Sequence, residues 1–125
     1  MSRGGMKTQI AENSIVALGD NEFETGVINV PGNTTIKKGV VLKRDGGKFA
    51  PVMNTETEKP IAVNPFDIEN DTNSAVDLSL RAIISGPVRA DLLTVNGAVT
   101  TVDQNDMLRG VTIIPIKAND ISRTE

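Results

Sequence analysis

The chain has 125 residues, enough for one domain with a single modest core, and its 13 Lys+Arg against 16 Asp+Glu leave a formal net charge of −3. It has no cysteine and no histidine, which removes disulfides, thiolate nucleophiles, histidine bases and Cys/His zinc sites. Without a concentrated basic face, and with three phenylalanines as the only aromatics, the composition argues against nucleic acid as a partner; no apolar run approaches the ~20 residues of a membrane span.

The start, MSRGGMKTQIAENS, lacks the apolar segment of a secretory signal, so a protein made and used without export is expected. Residues 1–25 are polar and uneven around a short apolar group, Ile15-Val16-Ala17-Leu18, and Gly19-Asp20-Asn21 reads as a turn. That group is too short to fold alone. Two readings stay open: a frayed terminus, or an arm that orders on a partner through Ile10, Ile15, Val16, Leu18 and Phe23. The arm reading predicts that removing residues 2–18 leaves the melting temperature of the body nearly unchanged.

From Gly26 the signals become regular. Val27, Ile28 and Val30 make a strand that Pro31-Gly32-Asn33 halts. Val40 to Arg44 and Lys48 to Val52 flank Asp45-Gly46-Gly47, the clearest hairpin of the sequence. A three-residue loop with Gly47 left-handed would pair Leu42 with Ala50 and Val40 with Val52. A two-residue loop at Asp45-Gly46 would set Lys43 opposite Lys48, a like-charge pair; the three-residue loop is therefore expected. Asn54 to Lys59 is a solvated connection, Pro60 to Val63 a short strand, and Glu69 to Ser74 a polar loop.

Val76 to Ile84 alternates, with Val76, Leu78, Leu80, Ala82 and Ile84 on one face and Asp77, Ser79 and Arg81 on the other. A period of two marks a strand with one buried face. Ser85-Gly86-Pro87 is expected to interrupt it, with a second run resuming at Val88. Asn96-Gly97 between Leu93-Thr94-Val95 and Ala98 to Val102 is a type I′ hairpin signal. Asp103 to Arg109 suits one helical turn capped by Asp103, and Pro115 places the last strand, Val111 to Lys117, at a sheet edge. Many short strands at close spacing predict an all-β fold: a small single-domain barrel or sandwich with short or no helices and an extended N-terminal arm. The divisions are an arm over 1–25, a β-rich domain over 26–118 and a polar tail over 119–125.

No constellation carries chemistry. Asp67, Glu69, Asp71 and Asn73 alternate like the start of a calcium loop, but Thr72 stands at the glycine position and Leu78 at the distal glutamate. A solvated acidic loop is the better reading. Asp45-Gly46-Gly47 lacks the lysine and following helix of a phosphate loop. No catalytic residue, cofactor or metal site is assigned.

Gly32-Asn33 followed by Ile36-Lys37-Lys38-Gly39-Val40-Val41-Leu42, then Lys48-Phe49-Ala50-Pro51-Val52, resembles the core of the head-decoration (capsid-cement) proteins of tailed phages. The resemblance continues through Pro60-Ile61-Ala62-Val63, Val76–Ile84, Ser85-Gly86-Pro87-Val88, Leu92-Leu93 and Leu108 to Ile113, over about residues 26–116. It implies a β-tulip-like domain that clamps the outside of an expanded capsid. It also implies the major capsid protein as partner, a homotrimer, an arm that adds to capsid strands, and residence on the virion surface after synthesis in the host cytoplasm. A soluble β-barrel recognising a peptide or glycan is the alternative, and calls for clustered aromatics. An enzyme working with carboxylates alone is a third reading.

Leu80→Asp, which puts a charge into the apolar row, is expected to be among the most damaging substitutions, at several kcal/mol. A melting curve measures it; an unchanged midpoint would refute the strand assignment.

Overall fold

A computed structural model describes residues 14–117; residues 1–13, with Ile10, and the tail 119–125 lie outside the described residues. The strands are β1 (Glu22–Val30), β2 (Thr34–Ile36), β3 (Val41–Asp45), β4 (Lys48–Pro51), β5 (Ala62–Val63), β6 (Ile68–Asn70), β7 (Val76–Arg89), β8 (Thr94–Val95), β9 (Ala98–Val99) and β10 (Ile113–Ile116). A 3₁₀ turn (Ala90–Leu92) follows β7, and α1 (Val102–Arg109) precedes β10.

Five strands pair in the order β1-β4-β3-β5-β7, and β1 pairs again with β7, which closes a small all-β barrel. Apolar dipeptides explain how it is filled. Neighbouring residues of a strand point to opposite faces, so Val41-Leu42, Ala62-Val63 and Ala82-Ile83 each divide between two clusters. Leu42, Ala62 and Ala82 join Ile28, Val30, Phe49 and Leu80, so that all five barrel strands contribute to the interior. Val41, Val63 and Ile83 face outward and pack with Val16, Val52, Val88, Leu93, Val95, Leu108 and Ile113. At these dipeptides β3, β5 and β7 are therefore buried on both faces, under a layer formed by α1, β10 and the N-terminal segment.

The alternation along β7 puts Leu80 and Ala82 inside and leaves Asp77 and Ser79 exposed, in the predicted pattern. The predicted interruption at Ser85-Gly86-Pro87 is absent: β7 runs for 14 residues. Gly86, at φ 98°, supplies a bend that side-chain-bearing residues resist, and there the strand changes partners. Before the bend β7 pairs antiparallel with β1; from Gly86 on it pairs in parallel with β10. Pro87 lacks a donor on the edge away from β10, where its carbonyl accepts the Leu18 N–H (3.1 Å), so one ladder bond is lost and no more. β10 ends the sheet, as Pro115 predicts.

The β3–β4 hairpin turns through two residues rather than three. Gly46 (φ 60°) and Gly47 (φ 84°) form the loop, Asp45 faces Lys48, and Leu42 faces Pro51. Two glycines meet the two positive φ values of a type I′ turn, and this register sets opposite charges against each other where the rejected one opposed two lysines. Asn96 (φ 51°) and Gly97 (φ 81°) form the predicted type I′ turn between β8 and β9. The helix is longer than one turn and its cap is Thr101, not Asp103: the Thr101 hydroxyl accepts the Gln104 N–H, and the Gln104 side chain accepts the Thr101 N–H. That reciprocal arrangement satisfies two orphan donors at once, which a carboxylate two residues later cannot do.

The largest correction concerns the arm. Ser14–Leu18 is docked on the body as a strap: Ala17 bridges Val88, and Val16 is 0% exposed within the outer core. β1 begins at Glu22, so the domain does not start at Gly26. Val16→Ala is expected to cost about 2 kcal/mol, two methyl groups plus a cavity, and to lower the melting temperature by roughly 6–10 °C. Removing residues 2–18 should cost at least as much. A truncated chain that melts like the full one would show that the strap contributes nothing to the body.

Candidate interaction surface

The strap continues the line of β1 along β7, past a bulge of Gly19-Asp20-Asn21 opposite Gly86. Gly19 (φ 117°) and Asp20 (φ 55°) take left-handed conformations there. The Asn21 side chain holds the bulge, donating to Ser85 O (3.2 Å) and Pro87 O (2.8 Å) and accepting the Gly19 N–H (2.8 Å). Beyond it, Arg89 N–H donates to Val16 O (2.9 Å) and Leu18 N–H to Pro87 O (3.1 Å). At the far end the buried Ser14 hydroxyl donates to Pro65 O (2.7 Å) and accepts the Val16 N–H (3.0 Å).

This ladder fixes what the strap shows to solvent. Val16 O and Leu18 N–H are bonded to β7, so the backbone groups of Ala17 between them face the other edge. Ile15 is 53% exposed and Leu18 37%. The edge continues into β1, because β4 pairs with β1 only at Ile28 and Phe49. Glu22 and Glu24 stand along that stretch, and charge on an open edge discourages pairing between like copies. Glu24 accepts from Arg44 at 2.6 Å, and this bond holds its carboxyl below the usual range. The Arg44 guanidinium also lies over the Phe49 ring, 5.2 Å from its centroid.

Of the five residues assigned to the arm, two are exposed. Ile15 and Leu18 point outward; Val16 is spent on the core; Ile10 lies outside the described residues. Phe23 is partly buried against the outer core, with Arg81 over its ring at 5.2 Å. The sequence could not separate Val16 from Ile15, since four consecutive apolar residues carry no period.

The acidic loop does not converge. Asp67 Oδ1 accepts the Lys38 N–H (2.8 Å), and Asn73 Oδ1 accepts from the Asn33 side chain (3.1 Å). Among the described residues no group of three His, Cys, Asp or Glu is placed to hold a metal ion. A shallow depression of about 400 Å³ is lined by Lys43, Arg44, Thr57, Glu58, Lys59 and Ile61. Two of its lining residues form an ion pair, Lys43–Glu58 at 2.7 Å. A second exposed apolar set escaped sequence reading: Met53, Val99, Val102 and Met107, on or beside α1, with Val102 69% exposed. Gln104 donates to Thr55, tying the 53–58 loop to the helix. Recognising Thr101 as the cap would have placed Val102 on the first, solvent-facing turn.

Glu58 organises that loop. One oxygen takes Lys43 and the other accepts the N–H groups of Met53 (2.7 Å) and Asn54 (3.1 Å). Hydrogen bonding to Lys43 first, then to the two backbone amides, brings its pKa from 4.5 down to about 2.

No family model matches the chain, and no curated protein matches its sequence.

Because its ionised form is favoured on folding, Glu58 stabilises the fold fully above its ordinary value of 4.5, and that contribution is lost as pH falls through about 2. Glu58→Gln should therefore be less stable than the parent at neutral pH, with the gap closing across that interval. Urea titrations over the range measure it; a gap independent of pH would mean that the carboxylate charge is not what holds the loop.

Proposed function

We propose that this protein is a structural virion component: a head-decoration protein that binds the outer surface of an expanded tailed-phage capsid and stabilises it against the pressure of packaged DNA. The major capsid protein is its partner and a homotrimer its assembled state. One observation carries the reading. The strap is anchored by Val16 in the core while Ile15 and Leu18 remain exposed and its outer backbone edge is unpaired among the described residues, the arrangement that strand addition to a partner requires. The apolar segments of the resemblance also include β3, β4, β5 and much of β7, with Gly32 and Gly39 in the turns between elements. A rival reading as a glycan-binding barrel lacks an aromatic platform: Phe49 is 2% exposed inside the barrel and Phe23 lies beneath Arg81.

The mechanism is stapling. Each strand hydrogen bond contributes about 1 kcal/mol net, so a few bonds and two apolar side chains give weak attachment per subunit. Copies around a symmetry axis act at high effective concentration, which turns weak contacts into a durable clamp. The rigid barrel transmits load between the capsid subunits it bridges.

Cosedimentation with empty expanded capsids of the parent phage tests this. The wild type should pellet with capsids, and the double variant Ile15→Asp, Leu18→Asp should bind roughly tenfold more weakly or worse, at an unchanged melting temperature. Wild-type protein left in the supernatant would refute the function. Undiminished binding by the variant would remove the strap edge from the contact.

A further inference from the structure

We infer that Asn96 is a site of spontaneous covalent modification: hydrolytic deamidation through a cyclic imide, with water as the co-reactant.

The nine asparagines among the described residues divide sharply. Eight have side chains held by hydrogen bonds: Asn21, Asn29, Asn33, Asn54, Asn64, Asn70, Asn73 and Asn105. The Asn96 side chain has no hydrogen-bond partner among the described residues, and Asn96 is exposed. It also precedes glycine, in the only Asn-Gly pair of the sequence. The reaction begins when the backbone nitrogen of the following residue attacks the side-chain carbonyl carbon, and a Cβ on that residue obstructs the approach. The other eight are followed by Glu22, Val30, Thr34, Thr55, Pro65, Asp71, Ser74 and Asp106. Around Gly97 there is open space: apart from its two chain neighbours, no heavy atom lies within 4 Å of where its Cβ would be.

The turn is also lightly held. β8 and β9 share two residue pairs, Thr94 with Val99 and Val95 with Ala98. The base is fixed, by Thr94 N–H to Gly39 O (3.0 Å) and Thr100 N–H to Leu93 O (3.0 Å), whereas Asn96, Gly97, Ala98 and Val99 are all exposed. Opening the tip breaks one residue pair and exposes little apolar surface, so it belongs to the cheap end of local unfolding. Glycine then reaches the dihedrals that the ring demands.

The steps balance without redox. Hydroxide removes the Gly97 N–H proton, the nitrogen bonds to Asn96 Cγ, and Nδ2 leaves as ammonia. Water then opens the five-membered ring. Attack at Cγ yields aspartate; attack at the backbone carbonyl yields isoaspartate, whose main chain runs through Cβ and Cγ. Either product takes the formal charge one unit below −3. The isoaspartyl form also lengthens the backbone of a two-residue loop, so the Val95–Ala98 pair loses its register and Val95, 6% exposed, loses its clamp.

Trypsin releases Ala90–Arg109 as one peptide, which holds both Asn96 and Asn105. The full-length native protein is aged in mildly alkaline buffer beside a urea-unfolded sample, and this peptide is followed by liquid chromatography and mass spectrometry, with Asn96→Asp as the retention standard. The native chain should convert at Asn96 roughly tenfold faster than at Asn105, giving two products, the slower-forming of which coelutes with the standard. Lowering the pH should suppress both. Conversion of Asn96 in urea but not in the native chain would show that the turn protects it and would overturn the assignment, as would equal rates at the two asparagines.

Discussion

Everything in this fold hangs on β7, which is paired along nearly the whole of one edge and at Ile83 and Gly86–Arg89 on the other. One edge carries β1 and then the strap; the other carries β5 and then β10. The first half of the strand closes the barrel, the second half carries the outer layer, and Gly86 joins them with a bend rather than a break. The two seams of β1 are unequal. Against β7 it is paired from Glu22 to Val30, whereas against β4 it meets a single partner, Phe49. Two ion pairs cross or flank that weaker side, Arg44–Glu24 at 2.6 Å and Lys48–Asp77 at 2.8 Å. Exposed pairs of this kind contribute about 0–1 kcal/mol each. The burial of Phe49 and Ile28 is the larger contribution, so the thin seam is held from within.

Buried amides do for the loops what β7 does for the strands. Asn70 donates to Val30 O and Pro31 O (3.0 Å each) and accepts the Thr72 N–H, while Asn64 donates to Ile36 O and Lys37 O. Each replaces ladder bonds that a loop cannot make. Both are nearly solvent-free, at 3% and 1% exposure, yet no buried side-chain nitrogen or oxygen among the described residues lacks a partner.

The fold class and most strands were legible because they rest on local signals: alternation in Val76–Ile84, Asn-Gly at 96–97, proline near the last edge. What escaped depended on groups far apart in sequence. Continuation through Gly86-Pro87 required knowing that Leu18 and β10 would stand on either side. The β3–β4 register turned on two adjacent glycines that fit either loop length, and Val16 became core only because Val88 and Val63 wait beneath it. Thr101 could have been read as a cap, since Gln104 three residues on completes a capping box; Asp103 drew the eye as the stronger acceptor. The candidate surface was half legible for a related reason. Ile15 to Leu18 announced apolar material, but a run without period does not say which side chains a neighbour will take.

A chain with three phenylalanines fills its interior with aliphatic side chains, and that choice limits where recognition can occur. Ile28, Val30, Leu42, Phe49, Leu80 and two alanines occupy the inside of the barrel, and a five-stranded barrel is too narrow to hold both these and a ligand. Recognition is left to the outside. There the layer of α1, β10 and strap already covers one flank, and the β1–β7 face carries Asn29, Asp77, Ser79 and Arg81, a mixed polar surface suited to water. Exposed apolar side chains remain at Ile15 and Leu18 on the strap, Val27 on β1, Met53, Val99, Val102 and Met107, and Ile114 on β10. In the docked strap anchored and exposed side chains are close neighbours: Val16 is buried in the outer core, while Ile15 and Leu18, on either side of Val16 and Ala17, are exposed to solvent. The buried Val16 thus holds its exposed neighbour Ile15 in a fixed place on the body, with no hinge between them.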